Sequence, residues 1–206
     1  MASGKFSRSH SATGIVSKNI SILGSNYPTG HQTDVAMPEL MEPSNLNPAD
    51  PSIMRTYDKV LERELRHALG GAKQGLMGML HYHMGWVNKF GIPTRGNLGK
   101  GLRPSLCLFT CQALGGRVEQ ALPAATALEL VHNFSLIHDD IQDEDQERHH
   151  QPTLWVLWGK SKAMVAGNAM LTLADKTLLE LSKQGVSEEN AALAIKILTG
   201  RYLDTI

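Results

Sequence analysis

The stretch "SLIHDDIQDEDQERHHQPT", residues 135–153, decides the fold and the chemistry that this sequence can support. It ends an apolar, helically spaced segment with six acidic residues, and an arginine and two adjacent histidines follow them directly. On an ideal helix, Asp139 and Asp143 stand about 40° apart around the axis, whereas Asp140 points about 100° away from Asp139. His132 precedes Asp139 by almost two turns and lies within about 20° of it. The pattern therefore predicts one helix face that carries a histidine and two carboxylates.

Two carboxylates one helical turn apart repel each other, and the repulsion grows when the pair is partly buried. A cation between them would remove this cost. Oxygen ligands on rigid helix positions, with no cysteine among them, suit Mg²⁺, which takes one or two carboxylates together with waters and substrate phosphate oxygens. Asp139 and Asp143 are therefore candidate Mg²⁺ ligands. The alternative for so short an acidic motif is a solvated helix end whose acids pair with surface lysines and arginines.

Upstream of the acidic cluster, the segment "GIPTRGNLGKGLRP", residues 91–104, contains too much glycine for a helix interior. It predicts a loop that carries two arginines and a lysine, and Pro104 suits the first turn of the helix that follows. Guanidinium and ammonium groups bind phosphate oxygens. The loop and Arg148 therefore form the cationic half of a predicted diphosphate site, and the aspartates form the other half.

The rest of the ordered sequence predicts helices. Apolar residues recur with helical spacing from Tyr57 to Leu69, and Gly70 with Gly71 ends that helix. Further helices are predicted at residues 105–114, from about Leu122 into the acidic cluster, at 152–185 and after Ser187. No run alternates between apolar and polar residues for more than a few positions. The expected fold is therefore all-α, with helices packed on helices.

Residues 1–51 have a different composition, in which Ser, Gly, Asn, Pro and Thr dominate without a helical or strand period, and they predict a disordered N-terminal arm. Residues 52–206 then form one helical domain. The 20 basic residues equal the 20 acidic residues, which gives no indication of a nucleic-acid partner. Two cysteines without a disulfide framework fit a reducing cytoplasm. No segment approaches the roughly 20 apolar residues of a transmembrane helix.

Two motifs together give a specific resemblance. "GKGLRP" at residues 99–104, followed by "LVHNFSLIHDDIQDEDQERHHQPTLW" at residues 130–155, resembles the trans-isoprenyl diphosphate synthases, or polyprenyl synthetases. Their hallmarks are a G-K-x-x-R-P loop and a D-D-x-x-D motif followed by R-R and P-T. The resemblance covers about residues 55–206 and corresponds to the N-terminal portion of such an enzyme. It implies a truncated antiparallel helical bundle of the isoprenoid synthase type, Mg²⁺ as cofactor and a homodimer for a full-length protein.

The resemblance also implies roles for individual residues. The positions that hold the diphosphate of isopentenyl diphosphate are matched by Lys100, Arg103, His132 and His149. The Mg²⁺ ligands at the allylic diphosphate are matched by Asp139 and Asp143, with Asp140 completing the metal motif in a supporting role. Arg148 matches an arginine that grips the allylic diphosphate, and the implied catalytic set is Asp139, Asp143 and Arg148. The floor of the pocket for the growing chain is matched by Phe134 and Ser135.

The implied function is a prenyltransferase that condenses an allylic diphosphate with isopentenyl diphosphate to a short-chain prenyl diphosphate. The sequence departs from the family pattern at His149, Asn168 and Arg201, where an arginine, an aspartate and a glutamine are usual. The 206 residues also lack the second aspartate-rich motif, so we expect this chain alone to show no condensation activity. A non-catalytic partner subunit of a prenyl diphosphate synthase is the alternative. A class I terpene cyclase shares the acidic motif but has no use for the isopentenyl diphosphate loop.

Overall fold

The computed structural model describes residues 55–71, 74–94 and 101–203, and the predicted arm and Lys100 lie outside them. The elements follow in the order α1 (Asp58–Leu69), α2 (Gly75–His83), α3 (Leu102–Ala113), α4 (Val118–Gln142), β1 (Glu147–Arg148), β2 (Gln151–Pro152), α5 (Leu154–Trp158), α6 (Lys160–Leu178), a 3-10 helix (Leu179–Gln184) and α7 (Glu188–Leu203). The two short strands pair antiparallel as a hairpin. The predicted all-α fold is confirmed. Among the described helices, none is both long enough and apolar enough to cross a membrane.

Helix α4 is the central element of the fold. Its 25 residues give a length of about 37 Å, and it packs against α6 on one side and α3 on another. Leu130 and Ile137 of α4 belong to the main apolar core, whereas Leu122 and Ala125 belong to a smaller core that also contains Tyr57. Because α4 is buried along most of its length, its position fixes the acidic residues at its C-terminal end.

The predicted start of α4 at about Leu122 was wrong by four residues. The helix begins at Val118, after Arg117 in an extended conformation with φ −86° and ψ 135°. Burial of Val118 and the favourable charge of Glu119 near the helix N-terminus stabilise this first turn. Pro123 therefore lies inside the helix, where its ring removes one backbone hydrogen bond without ending the helix.

Several predicted helix ends are confirmed. Helix α1 ends at Leu69, and Gly70 follows with the positive φ of 70° that ends many helices. At the start of α7, the Ser187 hydroxyl accepts a hydrogen bond from the backbone N–H of Asn190 at 3.3 Å, which is a helix N-cap. The segment predicted to form one or two helices at 152–185 divides at Gly159, which has φ 86° between α5 and α6.

Small residues allow α6 to approach α4 closely. The buried positions of α6 include Ala163, Ala166, Gly167 and Ala174, and the three alanines belong to the main core. At Gly167 the approach is so close that an added Cβ would overlap the imidazole ring of His138 on α4. His138 immediately precedes Asp139, so this contact helps to place the acidic end of α4.

We expect Gly167→Ala to lower the free energy of unfolding by about 1–2 kcal/mol, because the added methyl group must displace the His138 ring. Gly200 in α7 is a matched control, since an added Cβ there has nothing within 4 Å. Gly200→Ala should raise the free energy of unfolding by about 0.5 kcal/mol through helix propensity. Urea unfolding of the two variants measures both effects. Equal stability of Gly167→Ala and the unmodified chain would contradict the close α4–α6 contact.

Candidate active site

The three aspartates at the end of α4 have different environments. Asp139 and Asp143 are exposed, whereas Asp140 is buried. Asp143 is the C-cap residue, and its backbone N–H donates to the Asp139 carbonyl at 2.8 Å, so it continues the helical turn. The exposed carboxylates of Asp139 and Asp143 are therefore available to one ligand. Asp140 lies on a different face, in agreement with the spacing of the three residues.

Asp140 binds Arg148. The guanidinium Nε and Nη2 of Arg148 donate to Asp140 Oδ1 at 2.9 and 2.7 Å. The Asp140 side chain is 3% exposed and the Arg148 side chain 27%. Burial raises the pKa of Asp140, and the bonds from Arg148 oppose that shift. The pair uses two of the five N–H donors of the guanidinium, which leaves donors for an anion.

The hairpin of β1 and β2 carries Arg148 to this position. Its two turn residues, His149 and His150, have φ values of 51° and 62°. A two-residue hairpin turn of this kind requires positive φ at both positions, which asparagine and glycine usually provide. The Thr153 hydroxyl donates to the Asp145 carbonyl at 2.8 Å, and this bond ties the end of the hairpin to the loop after α4. Arg148 is thus held against Asp140 by the backbone and by its own ion pair.

A polar cavity of about 340 Å³ adjoins this ion pair. Asp140, Arg148 and the predicted substrate residue His149 line it, together with His150 and His83. The cavity combines one carboxylate with several groups that donate hydrogen bonds. Its walls are therefore suited to an anion that can accept them.

Arg103 and His132, two residues predicted to bind isopentenyl diphosphate, lie near the acidic end of α4. Arg103 is exposed in the first turn of α3, and His132 is half-buried on α4. Burial lowers the pKa of His132, as do the charges of Arg103 and Arg148, and Asp139 opposes the shift. This electrostatic pattern requires both arginines to lie near His132. The structure therefore brings together five of the predicted site residues, namely Arg103, His132, Asp139, Asp140 and Arg148.

Three further polar residues beside this group were not predicted from the sequence. The Asn133 side-chain amide donates to the Glu129 carbonyl at 2.8 Å and to Glu129 Oε1 at 3.2 Å. His83 hydrogen-bonds the side chain of Asn133, and its pKa is lowered to about 4, first by burial and then by the charge of Arg148. Burial raises the pKa of Glu129, whereas Asn133 and Arg103 oppose that shift.

A sequence signal for two of these residues exists. Glu129, Asn133 and Asp140 are separated by four and seven residues, so they share one face of α4. All three are buried in a helix whose other buried residues are almost all apolar. Polar side chains repeated on one buried helix face indicate a network rather than a solvated surface. His83 has no such local signal, because its partner Asn133 is fifty positions away in the sequence.

The two predicted chain-length residues have unequal positions. Phe134 is buried in the main core, and its ring contacts the His138 ring edge-on with centroids 4.5 Å apart. Ser135 is half-buried, and its hydroxyl donates to the His132 carbonyl at 2.8 Å. Ser135 also lies one turn before Asp139, on the face that carries the exposed carboxylate.

Comparisons with known proteins give one consistent family. The family model described as polyprenyl synthetase matches residues 86–206. A (2E,6E)-farnesyl diphosphate synthase of Mycobacterium tuberculosis is 41% identical over 130 residues, which are 62% of this chain and 36% of that protein. A geranylgeranyl diphosphate synthase of the same organism is 37% identical over 140 residues, 68% of this chain and 39% of that protein.

A solved structure agrees with this result. The polyprenyl synthetase from Streptomyces coelicolor A3(2) superposes with a TM-score of 0.61 and 33% sequence identity, over 72% of this chain and 45% of that one. The chain thus spans less than half the length of these similar proteins. The family match begins at residue 86 and therefore includes both the segment before α3 and the acidic end of α4.

Proposed function

Because the chain belongs to the polyprenyl synthetase family, we propose that it carries the diphosphate-binding part of a prenyltransferase. The reaction joins an allylic diphosphate to isopentenyl diphosphate and gives a short-chain prenyl diphosphate. One observation carries this proposal. The exposed carboxylates of Asp139 and Asp143 stand on the same helix as His132, which lies within electrostatic range of Arg103 and Arg148. The proposed metal ligands and the proposed anion-binding side chains would therefore act on the same diphosphate.

Mg²⁺ fits the residues that are present. Two exposed carboxylates one turn apart can hold this ion, which completes its coordination with waters and substrate phosphate oxygens. Among the described residues, no cluster of three or more His, Cys, Asp or Glu side chains is arranged for a metal. When bound, Mg²⁺ would neutralise charge on the diphosphate leaving group.

The remaining site residues would bind the two diphosphate substrates and orient them. Arg103 and Lys100 would hold the diphosphate of isopentenyl diphosphate, and His132, whose pKa is lowered first by burial and then by Arg103 and Arg148, would add a hydrogen bond to it. Asp140 positions Arg148, whose free N–H groups would hold the allylic diphosphate. His149 lines the polar cavity and would add a further contact to the diphosphate of isopentenyl diphosphate.

Names of similar proteins support the enzyme rather than the partner-subunit alternative. The relatives described above are named as farnesyl and geranylgeranyl diphosphate synthases, and no observation favours a non-catalytic subunit. We also propose a homodimer for the complete protein and a cytoplasmic location. The predicted disordered arm at 1–51 stays a prediction.

Two measurements test the proposed function. Isothermal titration of this chain with an unreactive allylic thiodiphosphate should give binding in Mg²⁺ and none in EDTA. In a second test, residues 55–203 are joined to the remaining C-terminal part of the Mycobacterium tuberculosis farnesyl diphosphate synthase. The chimera should condense dimethylallyl diphosphate with isopentenyl diphosphate, whereas this chain alone should not. Magnesium-independent binding, or a well-folded chimera without activity, would refute the proposal.

Product length gives a further prediction. In such a chimera, Ser135→Phe should shorten the main product by at least one isoprene unit, because Ser135 lies on the face of Asp139 and a ring there would fill the space for a growing chain. Phe134→Ala should lengthen the product as the family pattern implies, but with a cost in stability of about 3 kcal/mol, since Phe134 is 4% exposed. Chromatography of labelled products measures the lengths. Unchanged product lengths in both variants would show that other residues form the floor.

A further inference from the structure

A second cavity lies away from the candidate active site. It has a volume of about 670 Å³ and opens between α2, the connection after α2 and the junction of α5 with α6. No residue of α4 lines it, so none of the aspartates at Asp139, Asp140 and Asp143 takes part. Its volume is typical of small-molecule sites, which span about 300–1,000 Å³. The cavity is therefore large enough for a ligand of its own.

The lining of this cavity is mainly apolar. The apolar side chains that form it are Leu76, Met79, Val87, Phe90, Trp158 and Val165. Phe90 is 76% exposed and Val165 55% exposed, although both are large apolar groups. Tyr82 and Trp158 pack edge to face at 5.2 Å and form a rigid part of the wall. Exposed apolar groups around a concave surface favour an apolar ligand.

The charge of the cavity is positive. Lys89 and Lys162 line it, both are exposed, and no acidic residue is among its described lining. Within the described residues, neither lysine has a carboxylate oxygen within 4.0 Å, unlike Lys160, which binds Glu144 at 2.7 Å. Two unneutralised ammonium groups beside an apolar surface complement a molecule with an anionic head and an apolar tail.

We propose that this cavity binds a single-chain amphiphile, with its apolar tail against Phe90 and Trp158 and its phosphate head between Lys89 and Lys162. The site needs no divalent metal, because lysines rather than aspartates meet the anion. Prenyl phosphates belong to this chemical class. The inference is independent of the reaction proposed above, since the two sites share only Tyr82 among their described lining residues.

Fluorescence of the 206-residue chain tests the proposal. The chain is titrated in EDTA with farnesyl monophosphate below its micelle concentration, and Trp158 reports on the cavity because it lies in the wall. A saturable change is expected, with one molecule bound per chain by calorimetry. Farnesol should bind more weakly because it lacks the anionic head, and inorganic diphosphate should not bind because it lacks the tail. Trp158→Phe should lose most of the fluorescence change and keep the calorimetric signal.

Variants localise the binding. Lys89→Glu and Lys162→Glu should each weaken binding of farnesyl monophosphate about fivefold, whereas Lys196→Glu on α7 makes the same change of charge elsewhere and should have no effect. Val165→Trp should weaken binding further by filling the cavity. Equal affinity for farnesol, or loss of metal-free binding in Asp139→Ala, would overturn the proposal. A dimer of the unmodified chain that is lost in Val165→Trp would also overturn the proposal, because the cavity would then be an interface between two copies.

Discussion

Replacing Asp140 by alanine should destabilise the fold by about 2–3 kcal/mol, whereas Asp139→Ala and Asp143→Ala should each change stability by less than about 0.5 kcal/mol. Asp140 is buried and bonded to Arg148, so its loss leaves a half-buried guanidinium without its partner. Asp139 and Asp143 are exposed and are free of this role. Urea unfolding of the three variants measures the difference, and Asp140→Asn, which keeps the shape and one acceptor, should lie between Asp140→Ala and the unmodified chain.

Magnesium binding should rank the same variants in the opposite order. Titration of Mg²⁺ in the presence of a diphosphate analogue should fail for Asp139→Ala and Asp143→Ala, because these two carboxylates share the exposed face. Asp140→Ala should retain most of the affinity at temperatures at which it is folded. Opposite rankings for stability and for Mg²⁺ affinity would distinguish the residue that holds Arg148 in place from the two residues that bind the metal. Equal losses of Mg²⁺ affinity in all three variants would contradict the division of roles between exposed and buried aspartates.

His83 should make the fold less stable in mild acid. Its pKa falls from the ordinary value of 6.5 to about 4 in the folded chain, so the folded state binds fewer protons than the unfolded state. The stability that this group contributes is present above pH 6.5 and is lost as the pH falls from 6.5 towards 4. Between pH 7.5 and pH 5.0 the loss amounts to about 2 kcal/mol.

The measurement is a comparison of unfolding free energies at the two pH values. His83→Gln keeps a hydrogen-bonding side chain for Asn133 but does not titrate, so the loss between pH 7.5 and 5.0 should be smaller by about 2 kcal/mol than in the unmodified chain. His67→Gln is the control, because His67 is exposed on α1. It should leave the pH dependence unchanged. A His83→Gln variant with the full pH dependence would assign the effect to another group.

Local periodicity was sufficient to predict the separation of Asp139 and Asp143 from Asp140, because the angle between positions on one helix depends only on their spacing. The same kind of reasoning failed at the start of α4, which begins at Val118 rather than at about Leu122 because burial of Val118 stabilises an earlier first turn. Helix ends at Leu69 and after Ser187 were predictable because glycine and serine determine them through local backbone geometry and capping.

The hydrogen-bond and ion-pair partners of the site residues could not be predicted from the sequence. The ion pair of Asp140 with Arg148 depends on a hairpin whose two turn residues are histidines, which are not the usual signal for positive φ. The bond between His83 and Asn133 joins helices far apart in the sequence. Such contacts are set by how the helices pack, and no pattern within one segment contains that information.

The length of α4 has a consequence for mutational tolerance. A continuous helix of 25 residues behaves as a stiff rod, so a change of tilt at one end is amplified at the other. Ala125 and Ala127 are fully buried in the N-terminal half of α4, more than ten residues from Asp139. Larger side chains at these alanines would tilt α4 and move the carboxylates of Asp139 and Asp143 away from Arg103 and Arg148, although the new side chains would contact none of these four residues. The positions of the carboxylates at the acidic end therefore depend on buried alanines that bind neither metal nor substrate.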